Sequence, residues 1–177
     1  MNGEKRRERI LELLEAGARG AERQPLSAAR LARLMDVSRQ AIVGDIALLR
    51  AQGKAIIATA RGYMMEAPAQ PGRYVGKLAC RHSLADTEKE LMAVVELGGE
   101  VLDVTVSHRL YGDMTGQLNI ATRQDVAAFM ASVAAGGGRL LLELTGGLHL
   151  HTVACRDRDA FVLIEDRLRE LGFLYGP

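Results

Sequence analysis

Apolar residues recur at helical spacing through the first fifty residues of the chain. Residues 3–16 carry four of them among Lys, Arg and Glu, which predicts a helix with one apolar stripe. Two shorter helices follow, each preceded by a serine that can act as N-cap, Ser27 and then Ser38. In the second of these helices, the apolar residues that share one face are Ile42, Ile46 and Leu49. Two capped helices around a tight turn predict a helix-turn-helix.

A short hairpin and the outer face of the third helix complete this first region. Residues 55–59 and 62–65 have the composition of two strands, so the predicted fold is a winged helix. Burial of the apolar face leaves the N-terminal turn of the third helix outward, where side chains could reach base edges and phosphates. The predicted DNA-binding residues, including one on the wing, are Ser38, Arg39, Gln40, Val43, Gly44 and Arg61. A three-helix bundle used for protein contacts is the alternative.

The arrangement of apolar residues changes after a segment that fits neither the helical nor the strand periodicity. Residues 67–73 contain two prolines and a glycine, which predicts a linker. The elements predicted beyond it are strand 73–81, helix 84–97, strand 100–108, strand 117–122, helix 123–135, strand 147–155 and helix 157–171, with residues 139–144 ambiguous. Two predicted capping boxes support this assignment, Ser83 with Asp86 and Thr122 with Asp125.

The order of elements predicts an α+β protein. An N-terminal winged helix-turn-helix is followed by a two-layer βαββαβα antiparallel-sheet domain, a phosphocarrier-like or ferredoxin-like sandwich. The predicted boundaries are 1–66 for the DNA-binding domain, 67–73 for the linker and 74–177 for a regulatory domain. In both sandwiches the first and last of the four strands are neighbours, which decides which side chains can meet.

Charge supports a division into two regions with different partners. The net charge is only +1, but residues 1–66 carry 12 Lys and Arg against 8 Asp and Glu, whereas residues 67–177 carry 11 against 14. A basic N-terminal region is a candidate for binding a polyanion. No run approaches the ~20 apolar residues of a membrane span, and we expect a cytoplasmic protein with reduced thiols at Cys80 and Cys155.

Two of the four histidines stand close together in the predicted last strand of the sheet. His149 and His151 project from the same face, because side chains alternate along a strand. Since the first strand should lie beside the last, His82 at its end can face this pair. Glu90, two turns into the next helix, can complete the group. We therefore predict a metal site for a borderline divalent ion such as zinc, nickel, iron or manganese, with nickel or zinc favoured.

Residue type and spacing also allow several alternatives to this ligand set. Helical geometry would place Glu88 almost as well as Glu90. Cys80 and Cys155 share strand parity with the histidines, which would favour a softer zinc site, although both fit equally well as small buried hydrophobic residues. A pair of exposed or core-edge histidines on an ordinary strand, without a metal, is the simplest alternative.

The residues of this region are similar to those of a known family. His82, Glu90, the segment 98–108 ending in His108, Tyr111 with Gly112, and the segment 144–152 resemble the three-histidine (3H) domain. With a winged helix in front, the whole chain resembles the niacin-responsive transcriptional repressors of bacteria. Two positions depart from the pattern: Gly44 stands where a long polar side chain is expected, and Arg109 where proline is expected.

The resemblance implies a specific set of partners. A metal would be held by His82, Glu90, His149 and His151, and nicotinic acid would act as co-repressor for genes of NAD biosynthesis or niacin uptake. A homodimer would bind a palindromic double-stranded DNA operator. His108 and Tyr111 are predicted effector-binding residues, although His108 fits equally well as a satisfied histidine at a strand end.

Two other classes of function are compatible with a metal site beside a DNA-binding module. The first is a metal-sensing repressor in which the ion itself is the effector. The second is a metalloenzyme with His108 as general base. No phosphate loop, nucleophile elbow or dinucleotide fingerprint supports catalysis. We therefore predict a regulator and not an enzyme.

Overall fold

The computed structural model describes residues 2–19, 25–59, 61–66, 72–136 and 138–176. The chain divides into two compact units, Met1–Ala69 and Gln70–Pro177. The predicted linker lies mostly outside the described residues, so its boundaries stay a prediction. Among the residues described, no helix combines the length and the apolar character that a membrane crossing requires.

The first unit has the predicted winged helix-turn-helix. Its elements are α1 (Gly3–Arg19), α2 (Ala28–Met35), α3 (Arg39–Ala51), β1 (Ile56–Thr59) and β2 (Gly62–Met65). Both serine caps are confirmed, because the Ser27 hydroxyl accepts a hydrogen bond from the N–H of Arg30 and the Ser38 hydroxyl from that of Ala41. The apolar residues buried at the centre of the helices include Ile10, Leu31, Ile42 and Ile46. Their burial leaves the N-terminal turn of α3 at the surface.

Asp45 in α3 is a buried carboxylate that the periodicity did not predict. Its side chain is 4% exposed, and it accepts hydrogen bonds from the guanidinium groups of Arg6 and Arg7 in α1. A buried charge requires such partners, because desolvation without them is expensive. The contact ties α3, which carries the predicted DNA-binding residues, to the first helix.

The second unit is a four-stranded antiparallel sheet with helices against one face. Its elements are β3 (Tyr74–Arg81), α4 (Thr87–Glu96), β4 (Glu100–His108), β5 (Gly112–Ile120), α5 (Arg123–Ala134), β6 (Leu148–Cys155) and α6 (Arg158–Glu170). The strand order is β3-β6-β4-β5. The predicted adjacency of the first and last strands is confirmed. Because β3 is the terminal strand of this order, beside β6, the arrangement is the phosphocarrier-like one of the two predicted.

The alternation of side chains along β6 separates the two faces of this sheet. His149, His151 and Val153 are buried, whereas Leu148 and Leu150 are more than one-third exposed. The buried face packs against α4 and α6. Its apolar core includes Val94, Val101, Val153 and Ile164. The two histidines therefore enter the interior of the unit, on the helix side of the sheet.

Two sequence predictions for this unit need correction, and the structure assigns the segment that the sequence left ambiguous. The third strand begins at Gly112 and not at residue 117, because the tight turn after His108 lets the hairpin pair from His108 and Gly112 onward. The capping box predicted at Ser83 is wrong, since its hydroxyl donates to the Asp86 carboxylate instead of capping a backbone N–H. The ambiguous segment is a 3₁₀ helix, Leu141–Thr145. The Thr122–Asp125 capping box is confirmed.

Candidate metal centre and DNA-reading face

Pairing of the first and last strands brings the three predicted histidines together. In the β3–β6 register Cys80 lies opposite His149 and Leu78 opposite His151, and His82 follows directly after β3. A Cβ on Gly147 would lie 2.3 Å from the carbonyl oxygen of His82. Only glycine allows this close approach of the two backbones, which positions His82 against the pair on β6.

All three imidazoles converge on one carboxylate. The Nε2 atom of His82 lies 2.7 Å from Oε2 of Glu90, that of His149 lies 3.3 Å from Oε1, and that of His151 lies 3.3 Å from Oε2. Glu90 is 1% exposed and projects from the buried face of α4. The four residues thus form a closed buried cluster, which we call the His–Glu cluster.

The other nitrogen of each ring is also occupied, and by the same kind of group. Nδ1 of His82 lies 2.8 Å from the carbonyl oxygen of Ser83, Nδ1 of His149 2.9 Å from that of Gly147, and Nδ1 of His151 2.7 Å from that of Asp103. A carbonyl oxygen only accepts, so each Nδ1 carries the proton. In the neutral rings the Nε2 lone pairs are consequently directed at Glu90.

Lone pairs on three nitrogens around an ionised carboxylate require a cation between them. Burial lowers the pKa of His82 and of His151, but the hydrogen bonds and negative charge of Glu90 outweigh burial and raise both pKa values. Burial likewise raises the pKa of Glu90, and the surrounding imidazoles outweigh it and hold that pKa well below its usual range. Three imidazoles held by carbonyls, with one carboxylate, also make the donor set of a zinc-like or nickel-like ion.

The three residues considered as alternative ligands, Glu88, Cys80 and Cys155, differ in how close they lie to the His–Glu cluster. Glu88 is exposed, whereas Glu90 is in the cluster. The thiol of Cys80, the Glu90 carboxylate and a His149 nitrogen lie within 4.8 Å of one another. Burial raises the pKa of the Cys80 thiol, which keeps it protonated. The Cys155 thiol instead lies 3.1 Å from the carbonyl oxygen of Asp157, beyond the end of β6.

A small cavity opens beside the His–Glu cluster. Its free volume is about 30 Å³, which is room for a water molecule, and about 320 Å³ when the open space at its mouth is included. Glu90, His149 and His151 form one wall, and the remaining lining residues are Thr87, Leu91, Val104, Leu118, Phe129, Leu140, Leu141 and Leu142. A concave, largely apolar site with a few convergent polar groups is typical of small-molecule binding.

The predicted effector residues His108 and Tyr111 lie in the β4–β5 hairpin. Their rings stack with centroids 5.0 Å apart, and the N–H of Leu110 donates to Nδ1 of His108 at 3.3 Å. Tyr111 is 74% exposed. Within the described part of the chain, neither residue is among those lining the cavity. Their role in effector binding stays a prediction.

The predicted DNA-binding residues lie at the start of α3 and on the wing. Those that are exposed are Ser38, Arg39, Gln40 and Gly44, while Val43 and Arg61 are half-buried. The N–H of Arg61 donates to the Thr59 hydroxyl at 3.2 Å, which holds Arg61 against the end of β1. Gly44 has open space around it, since no atom lies within 4 Å of a Cβ built there.

Both units match known domain families. Residues 6–64 match the HTH domain, and residues 75–177 match the 3H domain. The chain is 37% identical to transcription repressor NadR of Bacillus subtilis over 97% of its length and 94% of that protein. It is 38% identical to the probable transcription repressor NiaR of Thermotoga maritima over 96% of its length and 94% of that protein.

The chain belongs to the 3H-domain transcription repressors. Its relatives in this family are named as repressors, and the helix-turn-helix indicates that it binds DNA through the first unit. This 3H-domain repressor carries residues in its site that sequence reasoning missed. Gly147 permits the approach of His82, and the Asp103 carbonyl orients His151. The sequence pattern indicated only a turn at the glycine pair that contains Gly147. The role of Asp103 could not be predicted, because its backbone carbonyl makes the contact and a backbone group does not depend on the residue type.

Proposed function

We propose that this protein is a metal-dependent DNA-binding transcription repressor that takes nicotinic acid as co-repressor. It controls genes of NAD biosynthesis or niacin uptake, acts in the cytoplasm, and binds its operator as a homodimer. The niacin assignment rests on the resemblance of the sequence to the niacin-responsive repressors. The observation that supports the metal is the convergence of three Nε2 atoms on one buried carboxylate.

The ligands we assign to the metal are His82, Glu90, His149 and His151. The fit is supported by the carbonyl bonds at all three Nδ1 atoms, which present every Nε2 as a lone-pair donor before any ion arrives. A bound divalent ion would supply a Lewis-acidic position for the ring nitrogen or carboxylate of a pyridine carboxylate. Nickel or zinc is the ion we favour.

The cavity beside the cluster supports a small, largely planar effector. Its apolar side chains, among them Leu91, Phe129 and Leu142, can exclude water around a ring, while the wall made by Glu90, His149 and His151 offers the polar end. Its free volume of about 30 Å³ is well below the ~300 to 1,000 Å³ of ligand pockets, so the apolar wall has to move apart to admit the ring of nicotinic acid. A large cofactor such as a dinucleotide is therefore a poor candidate.

DNA binding is assigned to the exposed turn at the start of α3. Arg39 and Gln40 supply charge and hydrogen-bond donors there, and Ser38, Val43, Gly44 and Arg61 complete the proposed surface. A co-repressor acts only if it binds one arrangement of the dimer better than another. We propose that nicotinic acid favours the arrangement in which two α3 helices are spaced by about one turn of DNA, ~34 Å.

The first test is calorimetric titration of the metal-analysed protein with nicotinic acid, repeated after the metal has been removed with a chelator. We expect saturable binding to the metal-loaded protein and none to the stripped protein. Operator mobility shifts with and without nicotinic acid then test co-repression. Binding that is unchanged by the chelator would contradict the role of the metal.

The matched variants are His149→Ala and His108→Ala. His149 lies in the His–Glu cluster, whereas His108 stacks on Tyr111 in the hairpin. We expect His149→Ala to lose both the metal and the response to nicotinic acid, and His108→Ala to retain the metal. Full metal content in His149→Ala would refute the ligand assignment.

The metal-sensing repressor is the second candidate, because the His–Glu cluster provides four donors without any organic ligand. It requires metal titration alone to control operator binding over a physiological range. Metal-loaded protein that binds DNA equally with and without nicotinic acid would favour it. The names of the relatives favour a regulator over a metalloenzyme.

A further inference from the structure

One hydroxyl in the cavity beside the His–Glu cluster has no hydrogen-bond partner. Among the described residues, the buried side-chain polar atoms in this condition are Thr87 Oγ1 and Asn119 Nδ2. Thr87 is 5% exposed and lines the same cavity as Glu90, His149 and His151. Buried polar groups are nearly always hydrogen-bonded, so an exception at a cavity wall indicates a missing partner.

Local structure does not account for the threonine. Thr87 is the first residue of α4, where serine and threonine often cap backbone N–H groups, but the residue before it holds the N-cap position and Thr87 makes no such bond. Its own N–H donates to the carbonyl of Leu84. Valine has nearly the same shape and would fill an apolar wall without an unsatisfied group. The hydroxyl therefore has a cost in the free protein that a bound ligand can offset.

The position of Thr87 also indicates the kind of group it would meet. Thr87 and Glu90 are three residues apart and lie on one face of α4, so the hydroxyl stands beside the metal ligands. The N-terminal end of a helix carries partial positive charge, which favours an anionic group. The rest of the lining is apolar, which suits a ring. An aromatic carboxylate, admitted when the apolar wall of the cavity opens around its ring, satisfies all three features.

We propose that the Thr87 hydroxyl donates a hydrogen bond to the carboxylate of the effector and is a specificity-determining residue of this site. The inference rests on the proposed function, since it takes a pyridine carboxylate as the ligand. It adds a residue of this chain that selects the ligand and does not hold the metal. In the free protein the same hydroxyl is buried without a hydrogen bond, which lowers the stability of the fold. In the complex its hydrogen bond to the carboxylate raises the affinity for the effector.

The experiment compares wild type, Thr87→Val and Thr87→Ser in the full-length metal-loaded protein. Nicotinic acid affinity is measured by calorimetry, metal content by elemental analysis and thermal stability by circular dichroism. Thr87→Val should weaken nicotinic acid binding about tenfold or more, the value of a hydrogen bond to a charged group. Its metal content should equal that of wild type, and its melting temperature should be equal or higher. Thr87→Ser should restore most of the affinity.

Thr105→Val is the matched control, because Thr105 bonds Thr115 on the hairpin and does not line the cavity. It should leave nicotinic acid affinity unchanged. Equal affinity of Thr87→Val and wild type would overturn this inference and leave the proposed function standing. Loss of metal from Thr87→Val would also overturn it, because the residue would then serve the metal centre. A wild-type protein that does not bind nicotinic acid would overturn the proposed function and this inference together.

Discussion

The two units each bury a carboxylate on a helix, but they compensate it differently. Asp45 in α3 is paired with two guanidinium groups, and these carry their positive charge at every physiological pH. Glu90 in α4 is surrounded by three imidazoles, which are neutral bases unless a proton or a metal ion is present. The first cluster is balanced by permanent charges, whereas the second is balanced only when a proton or an ion is bound. Buried charge that the chain itself does not balance is therefore the better indicator of a binding site.

The largest effect is expected for Glu90→Gln in the second unit. The substitution keeps the shape but removes the anionic group that we assign to the metal, so metal affinity should fall by more than the ~10- to 100-fold that loss of an outer partner of a metal ligand costs. Metal content after dialysis, measured by elemental analysis, checks this. Glu88→Gln is the control, since Glu88 lies on the same helix but is exposed. Equal metal retention in Glu90→Gln and Glu88→Gln would contradict the assignment of Glu90, and not Glu88, as a metal ligand.

Asp45→Asn tests the complete cluster in the first unit. Loss of its charge leaves the guanidinium groups of Arg6 and Arg7 without their buried partner. Because these groups are partly exposed, we expect a loss of about 2 kcal/mol in the free energy of unfolding. Urea unfolding followed by helical circular dichroism measures it, and metal content should not change. The control is Asp36→Asn at the exposed left-handed C-cap of α2, which asparagine tolerates. Equal midpoints for the two variants would argue against a structural role for Asp45.

A smaller loss of stability is expected when a helix cap is removed, and it should occur only where the cap hydrogen bond is formed. Thr122→Ala removes the hydroxyl that accepts from the Asp125 N–H and should cost about 1 kcal/mol. Ser83 has the same spacing to an aspartate but caps no N–H, so Ser83→Ala should change stability by less than ~0.5 kcal/mol. Thermal unfolding of the two variants side by side decides this. A larger loss for Ser83→Ala than for Thr122→Ala would reverse the assignment.

The smallest effect is a gain, expected for Gly44→Ala in α3. A Cβ at this position meets no atom within 4 Å, and glycine in a helix interior costs ~0.5 to 1 kcal/mol relative to alanine. The variant should therefore unfold at a higher temperature, with the metal content of wild type. A lower melting temperature would show that the open space around Gly44 is needed for the fold.

Most of the local structure followed from the sequence, because periodicity and capping act between near neighbours. Serine before an apolar stripe predicted the starts of α2 and α3, and alternation predicted that His149 and His151 share a face. The start of β5 was missed, since the polar, exposed half of a hairpin strand has no apolar alternation to reveal it.

The contents of the two buried clusters were decided by tertiary structure. Adjacency of β3 and β6 was predictable from the order of elements, but the helical pattern allowed Glu88 as well as Glu90, and packing of α4 on the sheet selected Glu90. The pairing of Asp45 with Arg6 joins residues 39 positions apart. The unpartnered hydroxyl of Thr87 depends on every neighbour around it. Sequence patterns report which face of an element is buried, whereas contacts between elements decide which groups meet there and which are left without a partner.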